Sequence, residues 1–213
     1  MTFVPVKTPL LVKKMFPNYI WDMPTNEKII YLTFDDGPTP EITHWTLKIL
    51  KKNNAKATFF CIGNNIEKHQ EIFYDIANEG HRIGNHTYNH IKGWKTKSSD
   101  YIKEVELTQE LLNSEFRIQN SEYLFRPPYG RIKSKQAKKL IAKGYKIVMW
   151  DVLSFDWDRT VTKETCFKNV LEHTVNGSII VFHDSVKASK NMQHVLPKVL
   201  EHYSNLGYVF KAL

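Results

Sequence analysis

The chain has 213 residues, 42% hydrophobic and 24% charged, with nine glycines and nine prolines. That length supports one domain with a substantial core, and the composition excludes a disordered, collagen-like or membrane-embedded protein. The formal net charge of +8 favours anionic partners. Its lysines are spread along the chain, however, and their densest groups (Lys51-Lys52, residues 92–97 and 133–139) read as solvated faces, not as a nucleic-acid interface.

In chain order, residues 1–17 (MTFVPVKTPLLVKKMFP) are apolar and basic, but Pro5, Lys7, Pro9 and Lys13-Lys14 interrupt any signal-peptide core or membrane span. A short basic segment that packs on the fold, or touches a membrane surface, fits better; a cytoplasmic monomer is the expectation. Beyond it, short apolar runs at residues 29–34, 57–62, 81–85, 123–126, 146–151, 178–182 and 208–211 read as strands. Between them Ile42, Trp45 and Ile49 recur at helical spacing, as do Ile66, Ile72, Phe73 and Ile76, and the stretches 102–112 and 167–175 share that spacing. Thr39-Pro40 reads as an N-cap with proline at the first helical position. Gly80, Gly144, Gly177 and Gly207 fall between helix and strand, where a left-handed C-cap glycine belongs. Cys61 and Cys166, far apart in apolar surroundings, read as small buried hydrophobes.

Strand–helix alternation predicts a mostly parallel sheet. About seven such units closing on themselves make a small or incomplete (β/α) barrel, a full one taking about 250 residues; an open doubly wound sheet is the alternative. In either fold, reactive groups gather at the carboxyl ends of the strands. Those ends carry Asp35-Asp36, then His86 and His90, then Arg126, Asp156-Trp157 and His183-Asp184. His86 and His90 are four apart, which on a helical turn lets both imidazoles share a metal. A carboxylate from another strand end completes a three-ligand site with a position open for water, as catalytic zinc requires. Two adjacent aspartates point different ways, so one can bind metal while the other accepts a proton, and Arg126 is a fork donor suited to orienting that base. The other histidines (His44, His69, His81, His173, His194 and His202) read as packing or surface residues. Trp94 lies soon after the histidine pair and is a candidate wall of a substrate cleft.

Three segments also resemble a known family. Thr33-Phe34-Asp35-Asp36-Gly37, His86-Thr87-Tyr88-Asn89-His90 and Arg126-Pro127-Pro128-Tyr129-Gly130 are similar, in order, to the first three motifs of the polysaccharide deacetylases of the NodB-homology type, carbohydrate esterase family 4. The resemblance runs from about residue 28 to 213, which leaves residues 1–27 as an N-terminal basic-apolar extension packing on the catalytic domain. It implies a deformed (β/α) barrel that removes acetyl groups from an N-acetylated glycan. It further implies Asp35 as general base and Asp36, His86 and His90 as ligands of one divalent ion, usually Zn2+, with Co2+ or Ni2+ tolerated. Arg126 would orient the base, the backbone N–H of Tyr129 would stabilise the oxyanion, and His183 would be the general acid. Two motifs depart from the pattern. Leu153 replaces an aspartate in Trp-x-x-Asp-x-x-Asp-Trp, so only Asp156, as partner of Arg126, and Trp157, as a pocket wall, carry over. Val181 stands where leucine usually floors the acetyl pocket. A hydrolase of other amides or of acetylated xylan, or a silent carbohydrate-binding protein, are the alternatives.

Overall fold

The computed structural model describes residues 4–116 and 123–213; residues 1–3 of the N-terminal segment lie outside the described residues. All seven anticipated strands are present: β2 (Ile29–Asp35), β3 (Ala57–Cys61), β4 (Arg82–Asn85), β5 (Tyr123–Phe125), β6 (Tyr145–Val148), β8 (Ile179–His183) and β9 (Val209–Phe210). Two further strands, β1 (Tyr19–Ile20) and β7 (Val152–Leu153), are two residues each, too short to show alternation in sequence. The sheet order is β1-β6-β5-β4-β3-β2-β8-β7, eight strands, with β9 added beside the start of β2. Every pairing among these strands is parallel. This is the incomplete barrel, not the doubly wound alternative.

The pleat sorts side chains between the two faces. Ile30, Leu32 and Phe34 of β2 point outward into a core they share with Ile180 and Phe182 of β8 and with apolar faces of the surrounding helices. Those helices are α2 (Ile42–Lys52), α3 (Gly63–Lys68), α4 (Gln70–Asn78), α7 (Lys163–His173) and α8 (Ser189–Asn205). A second core lies against α5 (Ser98–Phe116) and α6 (Ser134–Ala142). Inside the barrel, Phe60, Leu124, Val148 and Ile179 pack with Tyr31 and Trp150. Thr33 and Asp35 occupy this inner face too, by their position in β2.

Several local expectations meet corrections. Helix α2 starts at Ile42, so Thr39-Pro40 is a lead-in turn and not an N-cap with its first residue; Glu41 is the N-cap, at φ 63°. The Ile66–Ile76 pattern is two helices, broken where His69 turns to ψ 54°. Helix α8 is hidden in the sequence because Pro197 stands inside it and reads as a breaker. Gly80, Gly144 and Gly207 directly follow helix C-caps at positive φ, as expected; Gly177 shares the positive φ but lies three residues beyond the C-cap Thr174, in the turn before β8. At Gly177 no side chain fits, since a Cβ would come 2.0 Å from the carbonyl oxygen of Met23.

The N-terminal segment covers the barrel's open seam. Leu153 N–H donates to the carbonyl of Val6, Thr8 N–H to that of Asp151, and Lys7 bridges antiparallel to Val152. Together with β1 along β6, residues 6–20 therefore cover both free edges, which would otherwise present unpaired backbone groups. Lys7 and Lys13 clamp the segment to buried Asp151, while α1 (Leu10–Met15) leaves Leu10, Leu11 and Met15 exposed. No helix of the described residues is long and apolar enough to cross a membrane.

Candidate metal centre and active site

At the carboxyl end of β2 the chain breaks sharply, with Asp36 at φ 79°. Gly37 comes next, its N–H donating to Asp184 Oδ1 at 3.1 Å; a Cβ here would lie 2.1 Å from Asp184 Oδ2. Asn65 Nδ2 holds the Asp36 carbonyl at 2.8 Å. These contacts turn the Asp36 side chain toward the end of β4 while Asp35 stays in the barrel.

The histidine pair is not on a helical turn, contrary to expectation. Residues 86–90 form a loop with Thr87 at φ 64° and His90 at φ 53°. Asn85 and Glu104 build it. Asn85 Oδ1 accepts the Thr87 N–H while its Nδ2 reaches the Val105 carbonyl, and Glu104 takes both the N–H and the side-chain amide of Asn89. The outcome is the one the spacing required: the rings are 5.0 Å apart.

Asp36, His86 and His90 offer ligand atoms that all lie within 4.8 Å of one another. Nε2 of His90 is 3.3 Å, and Nε2 of His86 3.8 Å, from Asp36 Oδ1. The Nδ1 of His86 lies 2.7 Å from the Arg126 carbonyl, so the proton sits on Nδ1 and Nε2 is bare. Burial, first of all, lowers the pKa of both histidines, that of His90 to about 4, so both imidazoles are neutral as ligands must be. The donor set and its protonation fit a divalent cation.

Arg126 crosses the barrel interior with no exposed surface. Its Nη1 donates to Asp35 Oδ1 and Thr33 Oγ1, each at 2.7 Å, Nη2 to the Met149 carbonyl and Nε to that of Val148. The guanidinium also lies 4.1 Å over the Phe60 ring. Burial alone would raise the Asp35 pKa, but the charge of Arg126, aided by that of His183, brings it below the ordinary value. Among the described residues, Asp35 Oδ2 has no hydrogen-bond partner.

Asp156 does not meet Arg126, which corrects the expected pairing. The guanidinium is already spent on four acceptors, and Asp156, on the loop after β7, turns instead to the neighbouring strand β8. Its Oδ1 lies 2.9 Å from His183 Nδ1, and its Oδ2 accepts the His183 N–H at 2.7 Å. Burial pulls the His183 pKa down, but the Asp156 charge and hydrogen bond outweigh it and lift the imidazole to about 9. Asp35 and His183 are register partners across β2 and β8.

The remaining anticipated residues line the same mouth. Trp157 packs against His183 at 4.8 Å. Tyr129, at φ 61° and half exposed, sets its ring 4.7 Å from His90; Trp94 meets that ring edge-on at 5.4 Å. Among the described residues no acceptor takes the Tyr129 N–H. Val181 is buried beside Thr33, and its register partner on β7 is Leu153, so the two departures from the family pattern are neighbours. Asp151 cannot replace the missing aspartate, because it faces Lys7, Lys13 and Ser178. Cys61 and Cys166 are buried thiols.

Four positioning residues were not anticipated: Thr33, Asn85, Glu104 and Asp184. Thr33 gave a signal only as part of the first motif, and Asp184 as a member of the strand-end polar set. It is fully buried, bonded to Thr43 Oγ1 and Gly37 N–H, and burial next to Asp36 raises its carboxyl to about 7.

With this geometry, comparison with known proteins is decisive. Residues 22–148 match the family model described as Polysaccharide deacetylase. The chain belongs to that family. A Bacillus cereus peptidoglycan-N-acetylglucosamine deacetylase is 42% identical over 168 residues, 78% of this chain and 60% of its own length. The chain thus spans less than two thirds of that relative. A second such enzyme from the same species is 34% identical over 208 residues, 94% of each chain. A solved peptidoglycan N-acetylglucosamine deacetylase, bound to a naphthyl N-hydroxybenzamide, superposes with a TM-score of 0.87 at 36% identity, covering 97% of this chain and 95% of its own. Members of this family use a divalent metal, and the Asp36, His86 and His90 set is where this chain could hold one.

Proposed function

We propose that this polysaccharide deacetylase hydrolyses the acetamide of an N-acetylated sugar within a glycan, releasing acetate and the free amine. Peptidoglycan, named for the relatives, is the leading substrate class. The observation that carries the reading is the pairing of two opposed proton carriers across one metal site. Asp35 is ionised with one oxygen free, and His183 is protonated and tied to Asp156.

A divalent ion on Asp36, His86 and His90, with zinc the best match to two imidazoles and a carboxylate, would polarise the acetyl carbonyl and acidify a water. Asp35 takes the proton of the attacking water on Oδ2 while Arg126 holds Oδ1 and fixes the carboxylate plane. The unengaged Tyr129 N–H donates to the oxyanion, its backbone set by φ 61°. His183 gives its proton to the departing nitrogen, and Asp156 stabilises the imidazolium until then. Leu153 and Val181 form the apolar floor for the acetyl methyl, while Trp157 on one side and Tyr129 with Trp94 on the other wall the sugar.

Incubation of metal-loaded protein with N-acetylglucosamine oligomers and with peptidoglycan, assayed for acetate and by mass spectrometry of the glycan, tests this. A product lighter by one acetyl group is expected. Absence of acetate from every N-acetylated glycan, with metal bound, would overturn the proposal.

A further inference from the structure

Beside the catalytic mouth lies a second concavity, an open groove of about 620 Å³. Its walls are the loops that leave β7 and β8 and the first turns of α7 and α8 that follow them; the first of these loops also carries Asp156 and Trp157. Arg159 and Lys163 line one side, Lys187 and Lys190 the other. All four are exposed, and among the described residues none forms an ion pair. One carboxylate, Glu164, lines the groove with them. Asp158, near Lys187, accepts the N–H and hydroxyl of Thr160 on Oδ1, at 2.9 and 2.7 Å.

The groove is joined to the reaction centre by a buried side chain. Asn191 lines it, and its Nδ2 donates to the backbone carbonyls of Asp156 and Val161 at 3.3 and 3.1 Å. The carbonyl it holds belongs to the residue that anchors the His183 imidazole. Four basic side chains against Glu164 and the nearby Asp158 leave the hollow with a net positive charge, which favours an anionic occupant. The groove adjoins the mouth at Asp156 and mixes the four cationic groups with the apolar surface of Val161 and Val186, a lining that suits a sugar ring carrying a negative charge.

We infer that this groove binds a carboxylate-bearing glycan segment, the sugars adjoining the one that is deacetylated, and so selects acidic glycan over neutral glycan of equal length. The inference rests on the deacetylase reading of the metal centre. A polymer crossing the mouth from the Tyr129 and Trp94 wall past Trp157 reaches the groove next, and lactyl carboxylates of muramic acid are the charges a peptidoglycan strand would bring there. The basic surplus of the chain acquires a use at this point.

The test is fluorescence anisotropy with end-labelled probes and the full chain carrying Asp35→Asn, which keeps the probes intact. The probes are a peptide-free peptidoglycan strand, a chitin oligosaccharide of equal length and poly(glycerol phosphate). The peptidoglycan strand should bind about tenfold more tightly than chitin at low salt, and the margin should shrink as salt rises. Lys187→Glu with Lys190→Glu should abolish the margin, while the same pair in the otherwise unaltered enzyme leaves kcat on N-acetylglucosamine oligomers unchanged. A margin that survives both substitutions would overturn the inference, as would poly(glycerol phosphate) displacing the labelled strand as well as unlabelled strand does. If the margin behaves as expected but no glycan yields acetate, the groove stands and the deacetylase reading falls.

Discussion

Two buried carboxylates, Asp151 and Asp35, face lysine or arginine at opposite ends of this barrel, and they are satisfied differently. At the closed end Asp151 is saturated: Oδ1 meets Lys13, and Oδ2 meets Lys7 and the Ser178 hydroxyl, all at 2.6 Å. At the mouth Asp35 is half satisfied, with Arg126 on Oδ1 and nothing among the described residues on Oδ2. In both, burial pushes the pKa up and the cationic partners more than reverse it, so both are ionised at neutral pH. A carboxylate with both oxygens engaged is a staple; one with an oxygen left over is free to accept a proton. What separates structure from chemistry here is the unspent hydrogen-bonding capacity, not the charge or the burial.

The comparison breaks most sharply at Asp35. Asp35→Asn keeps the volume and removes the base, and turnover should fall by about 10²–10⁴-fold with bound metal, measured by elemental analysis, unchanged. If activity persists, the unengaged oxygen is not the proton acceptor. Asp151→Ala should do the reverse. Stripping the shared partner from Lys7 and Lys13 should cost about 3 kcal/mol in denaturant unfolding and leave kcat intact. A loss of kcat without loss of stability would show that the two ends are coupled.

The pH dependence sharpens the contrast. His183 donates only when protonated, so the rate should fall as pH rises through about 9. Asp156→Asn removes the main support of that raised pKa, and the falling limb should move to lower pH. The linked stability has the same sign. A folded pKa above the unfolded 6.5 contributes fully below 6.5 and is lost as pH climbs toward 9. An alkaline limb that stays put in the variant would separate Asp156 from the acid. The smallest effect is expected at the cleft wall. Trp94→Ala removes an edge contact to Tyr129 and should raise KM by about tenfold at most, with kcat little changed.

Much of the site is legible in sequence because it depends on local pattern. Short apolar runs mark where strands end, and the residues just beyond each end face the mouth whatever the exact tilt of the barrel. That rule alone brings Asp35, Asp36, His86, Arg126 and His183 together. The loop carrying His90 reads as helical in sequence, since four-residue spacing is satisfied equally by a turn with two positive-φ residues. The partners of charged side chains are less legible. Asp156 and Arg126 are thirty residues apart in sequence and each has several candidate partners; only the position of β7 beside β8 gives Asp156 to His183.

The sequence by itself determined the alternation of elements, three glycines that end helices, a candidate metal-ligand set and the family. These follow from backbone periodicity and from residue types that few conformations can accommodate. Tertiary structure alone decided which carboxylate is saturated and which is free, and how residues 6–20 cover the open seam. It alone also gathered Arg159, Lys163, Lys187 and Lys190 around one hollow. Those are questions of which groups meet across the barrel, and meeting is settled by packing in three dimensions, where distance along the chain carries no information.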